Sequence, residues 1–329
     1  VLRSTTERSP GVLAPAAVAA GGALAAVLLG TAFVTVTPIP GLLSPGDGVR
    51  FGLPVAKATL NLAGVATIAF LLTPLLGGPD RWRRCAVLSS ALWFVAALVA
   101  LCLHTAELRP GRTLDLSAVA TFATTVTTGQ ALLGVLACLV LLLACTVLGV
   151  RKPGAVPAEL RLILAFATLV PLPVTGHSEA SAAHGVTTPM LLVHVVAAAG
   201  WLGGLFAVLL GLSADRKSIE TTLPKFSMIA TGALAASAVT GVVLALIQLL
   251  NSRFGLAGLV TTQYGQLCLA KAACLGAAAC LGAHIRFRLL PAISAGVGSA
   301  VARWATAELG LLGFAFGLGT ALARTPVGG

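Results

Sequence analysis

Long apolar runs, each about the length of a membrane crossing, alternate along this chain with short polar connectors rich in arginine, proline and glycine. The pattern predicts nine helices, at about 13–36, 52–76, 84–106, 126–150, 161–176, 189–212, 226–250, 264–285 and 304–323. A transmembrane helix needs about 20 predominantly apolar residues, and helices satisfy their own backbone polar groups inside lipid. The expected fold class is therefore all-α, a polytopic transmembrane bundle whose solvent is the lipid bilayer. The connector RKPGAVPAEL at 151–160 is the clearest break, separating a four-span bundle (1–155) from a five-span bundle (156–329). No internal repeat stands out. The first run, Leu13 to Val36, is too long for the apolar core of a signal peptide and reads as a retained span.

Composition agrees with the pattern. Of 329 residues, 57% are hydrophobic and 9% charged, whereas a soluble domain carries about a quarter charged residues. The net charge of +11 would suggest nucleic acid, but no soluble basic domain exists to carry such binding. In a membrane protein, basic residues collect in cytoplasmic loops and set orientation. With the N-terminus inside, the cytoplasmic segments hold Arg3 and Arg8; Arg81, Arg83 and Arg84; Arg151, Lys152 and Arg161; Arg216, Lys217 and Lys225; and Arg286, Arg288 and Arg303. The outer segments hold Arg50, Arg109, Arg112, Arg253 and Arg324. The bias recurs loop by loop, so the N-terminus is expected in the cytoplasm and the C-terminus outside.

The seven cysteines form no CxxC, and most sit inside apolar runs, where the thiol behaves as a small hydrophobe. Cys268, Cys274 and Cys280 step by six and share no helix face, so neither a disulfide framework nor a zinc site is expected. Gly200 with Gly204, and Gly313 with Gly317, have the GxxxG spacing of close helix packing. Asn61, Gln130 and Gln248 are expected to join helices rather than to bind substrate.

Candidate chemistry gathers in GHSEASAAHGVTTPMLLVHVV (176–196), an outer loop running into the sixth span. It holds His177, His184 and His194, with Glu179 and Met190. Thr188-Pro189 reads as a helix start, hydroxyl before proline. Met190, His194 and Trp201 would then form one stripe from the outer surface toward the membrane centre. Imidazole and thioether together favour copper over zinc or iron. His194 is the strongest of these residues, because a polar group inside a span needs a partner or a function. Lys271, deep in the eighth span, needs a partner for the same reason. Glu308 in the ninth span is expected to pair with Arg303 or another basic group at the inner surface, or to pass a cation or proton. Lys57, near the outer end of the second span, is placed to snorkel. His104 lies at the outer end of the third span with Glu107 three residues on, and His284 lies at the inner side.

LLVHVVAAAGWLGGLFAVLL (191–210), after GHSEASAAH, resembles the opening of the CopD-type copper resistance domain. KFSMIATGALAASAVTGVVLAL, TTQYGQLCLAKAACLGAAACLGAHIRFRLLP and RWATAELGLLGFAFGLGTALARTPV continue the likeness in order, over roughly 160 to 326. The front half resembles the extra spans of actinobacterial members. In many of these a CtaG-type domain follows, so the resemblance implies either a member without that domain or the CopD part of a CopD/CtaG fusion. The resemblance implies copper handling in the cytoplasmic (plasma) membrane, moving copper inward beside a periplasmic CopC-like protein. It also implies roles for His177, His194, Trp201, Tyr264, Gly265, Lys271 and Glu308, while His184 and Met190 rest on their chemistry alone.

The HxxxxxxW helix followed by an intramembrane lysine is also similar to HemJ-type protoporphyrinogen oxidases, which hold haem b. The alternative is therefore a haem-binding redox protein with His194 as axial ligand and His104 as the second histidine. A third reading is a membrane partner protein without transport. No GxxxxGK[ST] is present, so transport would be facilitated or driven by an ion gradient.

Overall fold

All nine apolar runs become helical segments long and apolar enough to cross a membrane, as expected. The computed structural model describes residues 13–35, 43–78, 80–175, 184–212, 216–289 and 298–326, with no strand among them. Its helices are α1 (Leu13–Phe33), α2 (Asp47–Leu75), α3 (Arg83–Glu107), α4 (Leu116–Thr125), α5 (Thr127–Arg151), α6 (Ala158–Ala167), α7 (His184–Leu212), α8 (Arg216–Leu250), α9 (Gly258–Thr261), α10 (Gln263–His284) and α11 (Gly298–Leu322). The protein is an all-α polytopic membrane bundle.

Apolar side chains cover both its inside and its outside. Leu88, Leu92, Val95 and Val99 follow helical spacing along α3 and are all exposed. In water such a stripe would be an aggregation face; against lipid it is the surface a spanning helix needs. Trp93, on the opposite face of α3, is fully buried, and a Cβ at Gly64 of α2 would come within 2.8 Å of its ring.

Three elements depart from the sequence pattern. The fifth span is not one helix: α6 stops at Ala167, and the chain passes through a turn into a 3₁₀ segment, Leu172–Thr175. Pro171 and Pro173 lie in this stretch, and each lacks the N–H that a continuing α-helix would use. The outer connector after α3 folds into α4. Its N-cap Asp115 accepts from the Ala118 N–H at 2.6 Å and the Ser117 hydroxyl at 2.8 Å. These bonds, the backbone one first, hold the Asp115 carboxyl below its usual range. Finally, α7 is already helical at His184, so Thr188-Pro189 is not its start. Pro189 sits in the second turn of the described helix, where its missing N–H costs only the bond to the Gly185 carbonyl.

The two sequence halves pack through each other. α1 lies along α11 and α2 along α7, while α7 pairs with α8 and α10 with α11. Glycine makes the first contact possible: a Cβ at Gly313 would lie 2.4 Å from the Ala19 carbonyl oxygen, and one at Gly317 would lie 2.2 Å from that of Ala23. The GxxxG of the ninth span is thus an α1 docking face. Of the sixth-span pair only Gly204 is tight, with a Cβ there 2.2 Å from the Phe226 ring; one at Gly200 would find only the Phe166 ring, at 3.9 Å.

Candidate functional site

A cavity of about 180 Å³ lies where α2, α7, α10, α11 and the broken fifth span meet. α7 supplies one wall. Leu191, His194, Ala198 and Trp201 project from one face of it, in steps of three and four residues. Met190 is half-buried and does not line this cavity. His177 and Glu179 lie outside the described residues, as does the side chain of His184.

His194 is buried and held at both ring nitrogens. Nδ1 lies 3.1 Å from the Thr240 hydroxyl on α8, and Nε2 lies 3.3 Å from the Lys271 ammonium on α10. The Thr240 hydroxyl has one proton, and it donates that proton to the Ala236 carbonyl at 2.6 Å. Toward His194 it therefore accepts, which places the ring proton on Nδ1. The Ser237 carbonyl also accepts from the ring. Nε2 keeps its lone pair and accepts from Lys271. Lys271, the intramembrane cation in need of a partner, finds it in His194. Gly319 on α11 makes room for this contact: a Cβ there would stand 3.0 Å from the lysine nitrogen.

Deeper along α7, Trp201 and Glu308 are both 4% exposed. The Trp201 indole donates to the Glu308 carboxylate. The expected pairing with Arg303 is not formed, because Arg303 points outward and is exposed while Glu308 faces the bundle interior. Gly282 on α10 packs against the same carboxylate, with a would-be Cβ 3.1 Å from Oε1.

At the other end, Lys57 turns into the bundle instead of snorkelling. It lines the cavity, and its ammonium donates to the Thr175 carbonyl at 2.7 Å. Thr175 ends the fifth span, where the last carbonyls of a helical segment have no partner within it. Nearby, Arg324 donates to Glu107, whose second oxygen is 3.4 Å from His104 Nδ1. The group ties α3 to the chain just beyond α11. His104 stacks on Phe122 of α4, with ring centroids 6.3 Å apart, and does not line the cavity.

Among the described residues, no three His, Cys, Asp or Glu side chains converge as metal ligands. All seven cysteines are free thiols. Cys268 is hydrogen-bonded to the Tyr264 hydroxyl on its own helix. Gly265 is required by packing, since a Cβ there would lie 2.2 Å from the Gly258 carbonyl oxygen. His284 stacks on Trp304 at 4.6 Å.

Sequence reasoning missed four contributors. Asn61 lines the cavity rather than joining helices, and Ser237, Thr240 and Thr175 surround the same space or the histidine. Ser237 and Thr240, three residues apart, share one face of α8 within its apolar stretch from Gly232 to Ile247, and that spacing was the available signal.

Two family models match the chain. One, described as copper resistance protein D-like, N-terminal domain, covers residues 47–188; the other, copper resistance protein D, covers residues 220–322. The chain belongs to the CopD copper resistance family. No match is found among curated proteins or solved structures. In this CopD protein the two matched segments meet at the cavity. Lys57, Asn61 and Thr175 come from the first, and Ser237, Lys271 and Gly319 from the second. His194 and Trp201 stand between the two matches.

Proposed function

We propose that this CopD protein takes copper from the extracytoplasmic side of the cytoplasmic membrane and passes it into the bundle through His194. The observation that carries this reading is the buried imidazole at the cavity wall. Its Nδ1 proton is fixed by Thr240, and its Nε2 lone pair faces Lys271 and the cavity. Fixing one ring nitrogen so that the other is presented as a ligand is the usual preparation of a metal-binding histidine. Copper at Nε2 takes the place of the Lys271 hydrogen bond, so loading requires the lysine to swing away.

His177, His184, Glu179 and Met190 are the proposed capture ligands upstream of the cavity. Trp201 and Glu308 mark the inward continuation, where a carboxylate suits a passing cation. A periplasmic CopC-like protein is the proposed donor, and a CtaG-type domain or protein a further partner. The haem alternative fits the geometry less well. Both ring nitrogens of His194 are engaged, and His104 is turned to Glu107 away from the cavity. The cavity is also smaller than the roughly 300–1,000 Å³ of typical cofactor pockets.

The test uses purified full-length protein, its bound copper measured by mass spectrometry and its visible spectrum recorded. Copper bound in stoichiometric amount, and lost in His194→Ala and His177→Ala, is the expected result. Copper retained equally by both variants would overturn the site, and a Soret band that vanishes in His194→Ala would replace copper with haem.

A further inference from the structure

The polar groups around the cavity are unbalanced in sign. Lys57 and Lys271 both reach it, and among the described residues lining it there is no aspartate or glutamate. Each ammonium has three N–H donors, yet each has one uncharged partner, the Thr175 carbonyl for Lys57 and His194 Nε2 for Lys271. The described carboxylates nearest to hand are committed elsewhere. Glu107 is held by Arg324 and His104 and also acts electrostatically on Lys57, while Glu308 is held by Trp201, so neither carboxylate faces Lys271. A charge held inside a bilayer pairs with another charge or with backbone carbonyls; Lys57 has such a carbonyl, whereas Lys271 has only the neutral imidazole.

A second, independent observation points to what is missing. The Ser237 side chain lines the cavity and is 3% exposed, but its hydroxyl has no hydrogen-bond partner. Asn61 also lines the cavity, with no hydrogen bond to any described group. A buried hydroxyl is ordinarily satisfied by protein or by a bound species. Two ammonium groups, a hydroxyl and an amide offer N–H and O–H donors to one small space.

We propose that this cavity is a binding site for a small monovalent anion of halide size, held at Lys271, with the Ser237 hydroxyl and the Asn61 amide completing its shell and Lys57 lining the same cavity. Water would satisfy the donors but would leave the Lys271 charge uncompensated. The volume of about 180 Å³ suits a halide with a few waters rather than a lipid headgroup. The site stands without the copper reading and also bears on it. A copper ion at His194 sits near the Lys271 ammonium, and a resident anion screens that repulsion.

The experiment is equilibrium dialysis of purified full-length protein against radioactive chloride in halide-free sulfate buffer, with bromide and acetate as competitors. Wild-type protein should bind about one chloride per chain, displaced by bromide better than by acetate. Lys271→Gln should weaken binding about tenfold or more, the loss of one charge-assisted hydrogen bond. Ser237→Ala, a change too small to disturb the fold, should weaken it about threefold. Lys152→Gln, at the end of α5 and away from the cavity, should leave it unchanged. No saturable chloride binding by wild-type protein, or equal binding by wild type and Ser237→Ala, would overturn the proposal. Copper content measured on the same samples separates the two ideas. Chloride binding that persists without copper sinks only the copper reading, and copper without chloride sinks only the anion site.

Discussion

His194 earns attention at the residue scale less for being a histidine in a span than for the proton its surroundings assign. Thr240 gives its one proton to Ala236, so the ring proton sits on Nδ1 and Nε2 keeps its lone pair. If that lock prepares the metal site, Thr240→Val should lower copper affinity about 10–100-fold, the usual effect of removing an outer-shell partner. The readout is competitive titration against a copper chelator. An unchanged affinity would mean Thr240 serves only helix packing. The sequence displayed His194 and Lys271 as polar residues too deep to ignore, but not that each is the other's partner, 77 positions apart. Glu308 shows the same limit: Arg303 is near in sequence, yet the helix turns the two to opposite sides and gives the carboxylate to Trp201.

At the scale of elements, glycine placement separates packing that matters from spacing that only looks alike. Both GxxxG pairs read identically in the sequence. In α11 the missing Cβ atoms let the α1 backbone approach, while in α7 Gly200 has only an ordinary contact. Gly317→Ala should therefore destabilise the bundle by about 1–3 kcal/mol, the range for overpacking, and lower the midpoint of thermal unfolding in detergent. Gly200→Ala should stay within about 0.5 kcal/mol of wild type. Equal effects of the two would show that α1 does not depend on close approach to α11. The broken fifth span belongs to this scale as well. Pro171 and Pro173 were legible as helix breakers, but hydropathy alone runs smoothly across them. That Lys57 reaches the Thr175 carbonyl at the end of this span is set by α2 lying alongside.

For the molecule as a whole, the fold closes the ends of the chain on each other. α1 packs on α11, and just past α11 Arg324 grips Glu107 at the end of α3. Glu107→Gln should cost about 1–3 kcal/mol by leaving Arg324 without its charged partner, with part recovered in Glu107→Gln/Arg324→Gln. A double-mutant cycle on thermal stability measures this. Additive effects would mean the pair does not couple α3 to the end of the bundle. Both partners were visible as outer-side charges, but nothing in their spacing joined them. The expected division at residue 155 follows the connector's composition, whereas the helices on its two sides share one hydrophobic core.

The sequence by itself determined the helical class, the number of spans, the family, and the candidacy of His194, Lys271 and Glu308. Those follow from the length of apolar runs and from the cost of polar groups in lipid, both of which are properties of local sequence. Only the tertiary structure decided which polar groups meet: Lys271 with His194, Trp201 with Glu308, Lys57 with Thr175. It alone placed Asn61 and Ser237 on one cavity. The physical reason is rotation. A shift of one residue turns a helix face by about 100°, and the facing of each helix is fixed by how its neighbours pack, not by its own hydropathy.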